Sequence, residues 1–147
     1  MKNPEFKVKV KDKKWDLVLY QDKPTIIDAH IQDGLVLTRN FEGVLRRKSG
    51  NKVGIIVGQQ EVFDVDLSIN DEKEMRMRTL VFRLNSGHQI IAQGLGIYRA
   101  GENKFKPGEL FTIAIIGGTG KYIGVRGELV TLLRADGTYR HKLRFTN

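Results

Sequence analysis

Between Leu35 and Phe145 the sequence runs as short stretches in which apolar and polar residues alternate, rich in Val, Ile and Thr and separated by turn residues about every ten positions. A two-residue period sends successive side chains to opposite faces, the pattern of a half-buried strand. The stretches 35–46, 52–65, 75–84, 88–99, 110–116, 126–134 and 138–145 read as strands, and one more is expected within 5–20. Lys-Ser-Gly-Asn at 48–51, Asn-Ser-Gly at 85–87 and Ala-Asp-Gly at 135–137 supply the Gly and Asn that tight hairpins need. No long segment carries a helical period, which excludes helices layered on a parallel sheet and leaves an antiparallel meander.

Eight antiparallel strands in a chain of 147 residues must hide their edges, and closure does so most economically. The expected fold is all-β: a closed or nearly closed eight-stranded antiparallel β-barrel, a lipocalin-like cup. It takes up residues 1–147 as one domain, with 1–20 as a basic N-terminal arm or edge strand. A split two-sheet sandwich is the alternative. Gly54 with Gly58, and Gly94 with Gly96, share faces, as small residues do where barrel strands coil tightly. The polar segment 100–109, AGENKFKPGE, is the one long loop, suited to be a lid at a barrel mouth.

The 25 Lys and Arg against 17 Asp and Glu leave a formal charge of +8, part of it in Lys2, Lys7, Lys9, Lys11, Lys13 and Lys14 at the N-terminus. A basic surface permits nucleic acid, anionic lipid or acidic small molecules as partners. Nucleic acid is not expected, because no basic face with interleaved aromatics can be assigned. The absence of cysteine excludes disulfides and thiolate metal sites. No apolar run approaches the roughly 20 residues of a membrane helix, and the N-terminus lacks a signal peptide's apolar core. A soluble cytoplasmic protein without a membrane span is expected.

The run IIGGTGKYIGVRGE, residues 115–128, raises the question of a phosphate loop. Gly120-Lys121 is followed by Tyr122, leaving no hydroxyl for magnesium where a Walker loop has Ser or Thr. The dinucleotide spacing fails too, since Gly124 comes one position late and 125–134 reads as strand where a helix is required. What remains is a glycine-rich corner between two strands. The longer stretch FTIAIIGGTGKYIGVRGE, Phe111 to Glu128, resembles the signature of the allene oxide cyclase-like barrels, which include plant dirigent proteins and small bacterial spirotetronate cyclases. Its glycines, Thr119 and Tyr122 fall in register. NFEGVLRRKSGNKVG at 40–54 and IIAQGLGIY at 90–98 resemble that family's opening hairpin and central strand, so the likeness covers about residues 35–145. It implies a cup-shaped cavity and cofactor-free chemistry on a hydrophobic polyunsaturated substrate: cyclisation, isomerisation or stereocontrol of a coupling, an intramolecular (4+2) cycloaddition in the bacterial members. A non-catalytic carrier or dirigent-type scaffold using the same cavity is the alternative, and residual strand edges favour a homodimer. The only Trp is Trp15, not a residue of 126–134 where some of the cyclases carry an aromatic, and Trp15 is expected to cap one end.

Alternation then nominates the lumen. In 138–145, Arg140, Lys142 and Arg144 look outward, so Tyr139 and His141 point in, His141 as a general acid or hydrogen-bond donor. Leu129, Thr131 and Leu133 are the less costly face of their strand to bury. Along 88–99 the small-residue set with His88, Ala92, Gly94 and Tyr98 faces the cavity, Tyr98 anchoring substrate. In 75–84 a bulge near Thr79 would bring Met75 and Met77 inside as adaptable apolar contacts. Glu61, if inward, is the acid best able to polarise a carbonyl, and the catalytic candidates are Glu61, Tyr98 and His141.

Overall fold

The computed structural model of the chain describes residues 15–32, 35–64, 73–99 and 107–146. Nine strands are formed among them: β1 Leu17–Gln21, β2 Thr25–Gln32, β3 Leu35–Arg46, β4 Lys52–Asp64, β5 Lys73–Leu84, β6 Gln89–Arg99, β7 Leu110–Gly118, β8 Arg126–Leu133 and β9 Tyr139–Thr146. The remaining regular element is a short 3₁₀ turn at Gly120–Tyr122. No helix among the described residues is long and apolar enough to cross a membrane.

The strands pair antiparallel in the order β1-β9-β8-β7-β6-β5-β4-β3-β2, and β1 pairs in addition with β3. That last pairing, Tyr20 opposite Arg46 and Gln21 opposite Leu45, closes eight strands into a barrel and leaves β2 as an outer flap on β3. Side chains 25–30 of β2 are all exposed, so TIIDAH carries no burial pattern and the sequence did not mark it as a strand. At the seam the Asp22 N–H donates to Val44 O at 3.0 Å, and Arg46 clamps the Asp22 carboxylate with Nε and Nη2. This corner lets the chain leave the barrel wall after β1 and re-enter as β3.

The barrel is packed in one half, beneath an end cleft of about 550 Å³ lined by Trp15, Leu17, Val53, Leu84 and Tyr122, and opens as a cavity in the other. Leu45, Ile56, Phe82, Ile90, Leu129 and Leu143 have no exposed surface and pack the half nearest the β3–β4, β5–β6 and β7–β8 turns. Tyr122 lies at this end, its ring centroid 5.9 Å from that of Phe145. The glycine run is the corner between β7 and β8. Gly118 lies so close to the Gln89 and Tyr122 carbonyl oxygens that a Cβ there would stand 2.6 Å from each. Thr119 staples the corner to β6: its N–H donates to Gln89 O at 2.9 Å and its hydroxyl accepts the Gln89 N–H at 3.1 Å.

Candidate functional site

Opposite the filled half, at the end where β1 stops and β9 begins, the lumen opens as a cavity of about 600 Å³. Two inner faces make its walls. On one side Arg39 of β3, Gln60 of β4 and Arg78 of β5 stand in cross-strand register, Arg39 opposite Gln60 and Gln60 opposite Arg78. On the other side Leu133, Tyr139 and Gln21 form the corresponding row of β8, β9 and β1, with His141 one step deeper. Leu80 and Phe41 lie between them toward the filled half. Phe41 occupies its place because Gly58 has no side chain: a Cβ at Gly58 would stand 2.1 Å from the ring's Cζ.

His141 is 2% exposed and bound at both ring nitrogens. Its Nε2 is 2.8 Å from Gln21 Oε1 and its Nδ1 is 2.7 Å from Thr131 Oγ1. An amide oxygen only accepts, so Nε2 carries the ring proton and the Thr131 hydroxyl donates to Nδ1, which fixes a neutral tautomer. Burial first, and the Arg78 charge second, push its pKa from 6.5 down to about 3. Tyr139 stacks on the imidazole at 6.2 Å and Phe82 meets it edge-on at 5.1 Å. Gly43 leaves the room Gln21 needs, since a Cβ there would come within 3.0 Å of Gln21 Cγ and Nε2.

The cationic wall is the feature that the expected bulge in β5 hid. Arg78 is 4% exposed and its guanidinium lies 3.9 Å from the centroid of the Phe111 ring, a stacked cation–π contact. Arg76, 6% exposed, faces inward two positions nearer the mouth. The strand phase expected to break at Thr79 does not: β5 pairs with β6 from Lys73 to Arg83 without a shift, so Arg76 and Arg78 continue the face of Leu80 and Phe82. Met75 and Met77 are therefore on the outside, Met75 37% exposed, which corrects their expected place in the lumen. The sequence signal was the unbroken alternation itself, which puts Arg76 and Arg78 in phase with Leu80 and Phe82.

Other expected site residues distribute as follows. Leu133 and Tyr139 line the cavity; Thr131 is buried behind His141, and Leu129 lies in the filled half. Glu61 is exposed and outward, because Gln60 takes the inner position on β4 and a carboxylate is thereby kept in water. His88 sits at the filled end, its Nδ1 accepting the Lys121 N–H at 3.2 Å, so it belongs to the glycine corner rather than the cavity. The proton-donor role expected of His141 does not fit a group held neutral down to about pH 3. Tyr98 is part of β6, and its side chain lies outside the described residues. Trp15 stacks against Lys142 and Arg144, 5.6 and 5.0 Å from its ring, and lines the end cleft with Leu17 and Tyr122.

No protein-family model and no curated protein matches this sequence. Among solved structures the chain is similar to a pyocyanin demethylase, at 24% identity and a TM-score of 0.64, over 88% of this chain and 98% of that one. At that identity the likeness carries the architecture alone, and on it the chain is a small closed antiparallel β-barrel built like that protein.

Proposed function

We propose that the barrel binds a small polyunsaturated, polyketide-like molecule in its mouth cavity and acts on it as a cofactor-independent cyclase or isomerase, an intramolecular (4+2) cycloaddition being the reaction such a site serves best. The observation that carries this is the division of the cavity into a cationic wall, Arg39, Gln60 and Arg78, and a flat wall of Leu133 and Tyr139. A carrier can work with a wholly apolar lumen, whereas fixed donors facing a ring-lined wall suit a reaction that develops negative charge on a carbonyl oxygen. Guanidinium and amide N–H groups drawing on that oxygen make a conjugated partner more electron-poor. The walls hold a flexible chain in one folded conformer, a kind of positioning worth roughly 7–11 kcal/mol of barrier in favourable intramolecular cases. His141 takes no proton in this scheme; it fixes Gln21 and the floor beneath the ligand. The structural neighbour, whose name has it act on pyocyanin, is compatible with a barrel of this size serving a small organic molecule.

The carrier or dirigent-type scaffold is the second reading, and it is favoured by the one buried imidazole being saturated by Thr131 and Gln21 rather than poised for proton transfer. Incubation of the purified protein with linear polyene tetronates or tetramates, followed by chromatography and mass spectrometry, separates the two. Cyclised or isomerised product above the buffer rate, lost in Arg78→Met, supports the enzyme. Saturable binding without conversion supports the carrier.

A further inference from the structure

We propose that Gln21 sets specificity in this cavity: its carboxamide nitrogen donates to a neutral carbonyl oxygen of the ligand, that of a ketone, ester or lactone, and the Thr131–His141 pair aims that donor. This builds on the cavity reading above and names a functional group that its ligand carries. Gln21 ends β1 directly opposite Tyr139 and lines the cavity with 3% of its surface exposed. Its two polar atoms have different surroundings. Oε1 is held 2.8 Å from His141 Nε2. Nε2 lies beside Gly43, on the face that Phe41 and Leu45 share, where a Cβ at Gly43 would stand 3.0 Å from it. Among the described residues nothing accepts a hydrogen bond from it. A carboxamide whose oxygen is committed to a ring N–H presents its two N–H donors to whatever enters, and a donor at this depth is costly to leave without a bond.

The aim of that donor is set one strand beyond His141. A carboxamide can turn over and exchange its oxygen and nitrogen, and the imidazole would then accept at Nε2 and donate from Nδ1. Thr131 opposes the exchange. It exposes no surface and its hydroxyl has one hydrogen-bond partner among the described residues, His141 Nδ1 at 2.7 Å. If the hydroxyl accepted from Nδ1, its own buried O–H would be left without an acceptor, so it donates, the ring proton sits on Nε2, and the Gln21 oxygen turns to meet it. Tyr139 stacks on the imidazole with 11° between the rings and holds it in the plane that reaches both partners. From Thr131 through His141 to Gln21 the donors thus point the same way along the chain, an arrangement in which each hydrogen bond polarises the next. A conjugated carbonyl compound lying against Tyr139 brings its oxygen, in its own plane, to the residue across the β1–β9 ladder, which is Gln21.

The test uses two probes of one shape, 2-acetylnaphthalene and 2-isopropenylnaphthalene, in which a methylene group replaces the carbonyl oxygen, titrated into the intact protein. In proton–nitrogen correlation spectra of the wild type, a Gln21 side-chain amide proton should move further downfield with the ketone than with the alkene. Gln21→Met should lower the ketone's affinity relative to the alkene's by about fivefold to tenfold, the scale of one net hydrogen bond. Thr131→Val, which removes the aim without touching the ligand, should lower the same ratio, and Thr131→Ser, which returns the hydroxyl, should restore it. Saturable binding of both probes with equal effects on the Gln21 amide protons overturns the inference and leaves the cavity reading standing, and this comparison needs no variant to fold. A ratio that survives Gln21→Met overturns Gln21 as the donor, and one unchanged in Thr131→Val overturns the aim. Binding of neither probe overturns both the inference and the reading beneath it.

Discussion

The Thr131 hydroxyl lies 2.7 Å from His141 Nδ1, inside a barrel wall where neither residue exposes more than 2% of its surface. Replacing Thr131 with Val keeps the shape and removes the donor, leaving a buried imidazole nitrogen without its bond. The expected loss is about 1–3 kcal/mol in urea unfolding with the denaturant slope unchanged. A loss below a few tenths would mean that the hydroxyl bond is not made.

His141 also sets a pH dependence. Its pKa is about 3 in the folded barrel against 6.5 for an ordinary histidine, so the folded state refuses a proton that the unfolded chain accepts. Stability from this group is fully present above pH 6.5 and declines as pH falls toward 3. Between pH 7 and pH 5 the decline should be about 2 kcal/mol beyond that of His141→Asn, at the limiting slope of 1.36 kcal/mol per pH unit. Parallel stability profiles for the two proteins over that range would show that His141 is not held neutral.

The phase of β5 is testable by contrast on adjacent residues. Met77→Lys places a charge on the outer face and should change stability by less than about 0.5 kcal/mol. Leu80→Ala, at a site with no exposed surface, should lose about 2–5 kcal/mol. If Met77→Lys proves the more damaging, the strand is turned the other way and Arg78 does not face the cavity.

Gly58 and Phe41 form a lock between β4 and β3. A Cβ at position 58 would run into the Phe41 ring, so Gly58→Ala should destabilise by about 1–3 kcal/mol through overpacking. Because Phe41 lines the cavity, the same change should weaken acetylnaphthalene binding. In Gly58→Ala with Phe41→Leu, the smaller side chain should restore part of the stability, and full additivity of the two losses would contradict the lock.

Much of the barrel was legible in the sequence because closure imposes a period-two pattern on every strand that has an inside. β3 was bounded at 35–46, and β4 to β9 were each located within two residues at either end. β2 was not, because its side chains 25–30 are all exposed and show no alternation of burial. The lumen was legible where the opposite face was charged: Tyr139 and His141 followed from three cations on the outer face of β9, and Thr131 and Leu133 from Glu128 and Arg134 on the costlier face of their own strand. It was misread where function and burial conflict. Arg76 and Arg78 sit in phase with Leu80 and Phe82, and a rule that keeps charge out of cores invents a bulge to expel them. Gln21 was invisible for another reason: β1 is five residues long, and its inner end is known only once Tyr139 stands opposite it.

Methyl-resolved NMR of the protein titrated with 2-acetylnaphthalene tests the division of the barrel into a filled and a binding half most directly. Shifts should concentrate on Leu80, Leu133 and Ile26 around the cavity and leave Ile56, Ile90 and Leu143 of the filled half unmoved. Saturating shifts confined to exterior methyls such as Leu95 and Ile123, or no shifts at saturating probe, would contradict it.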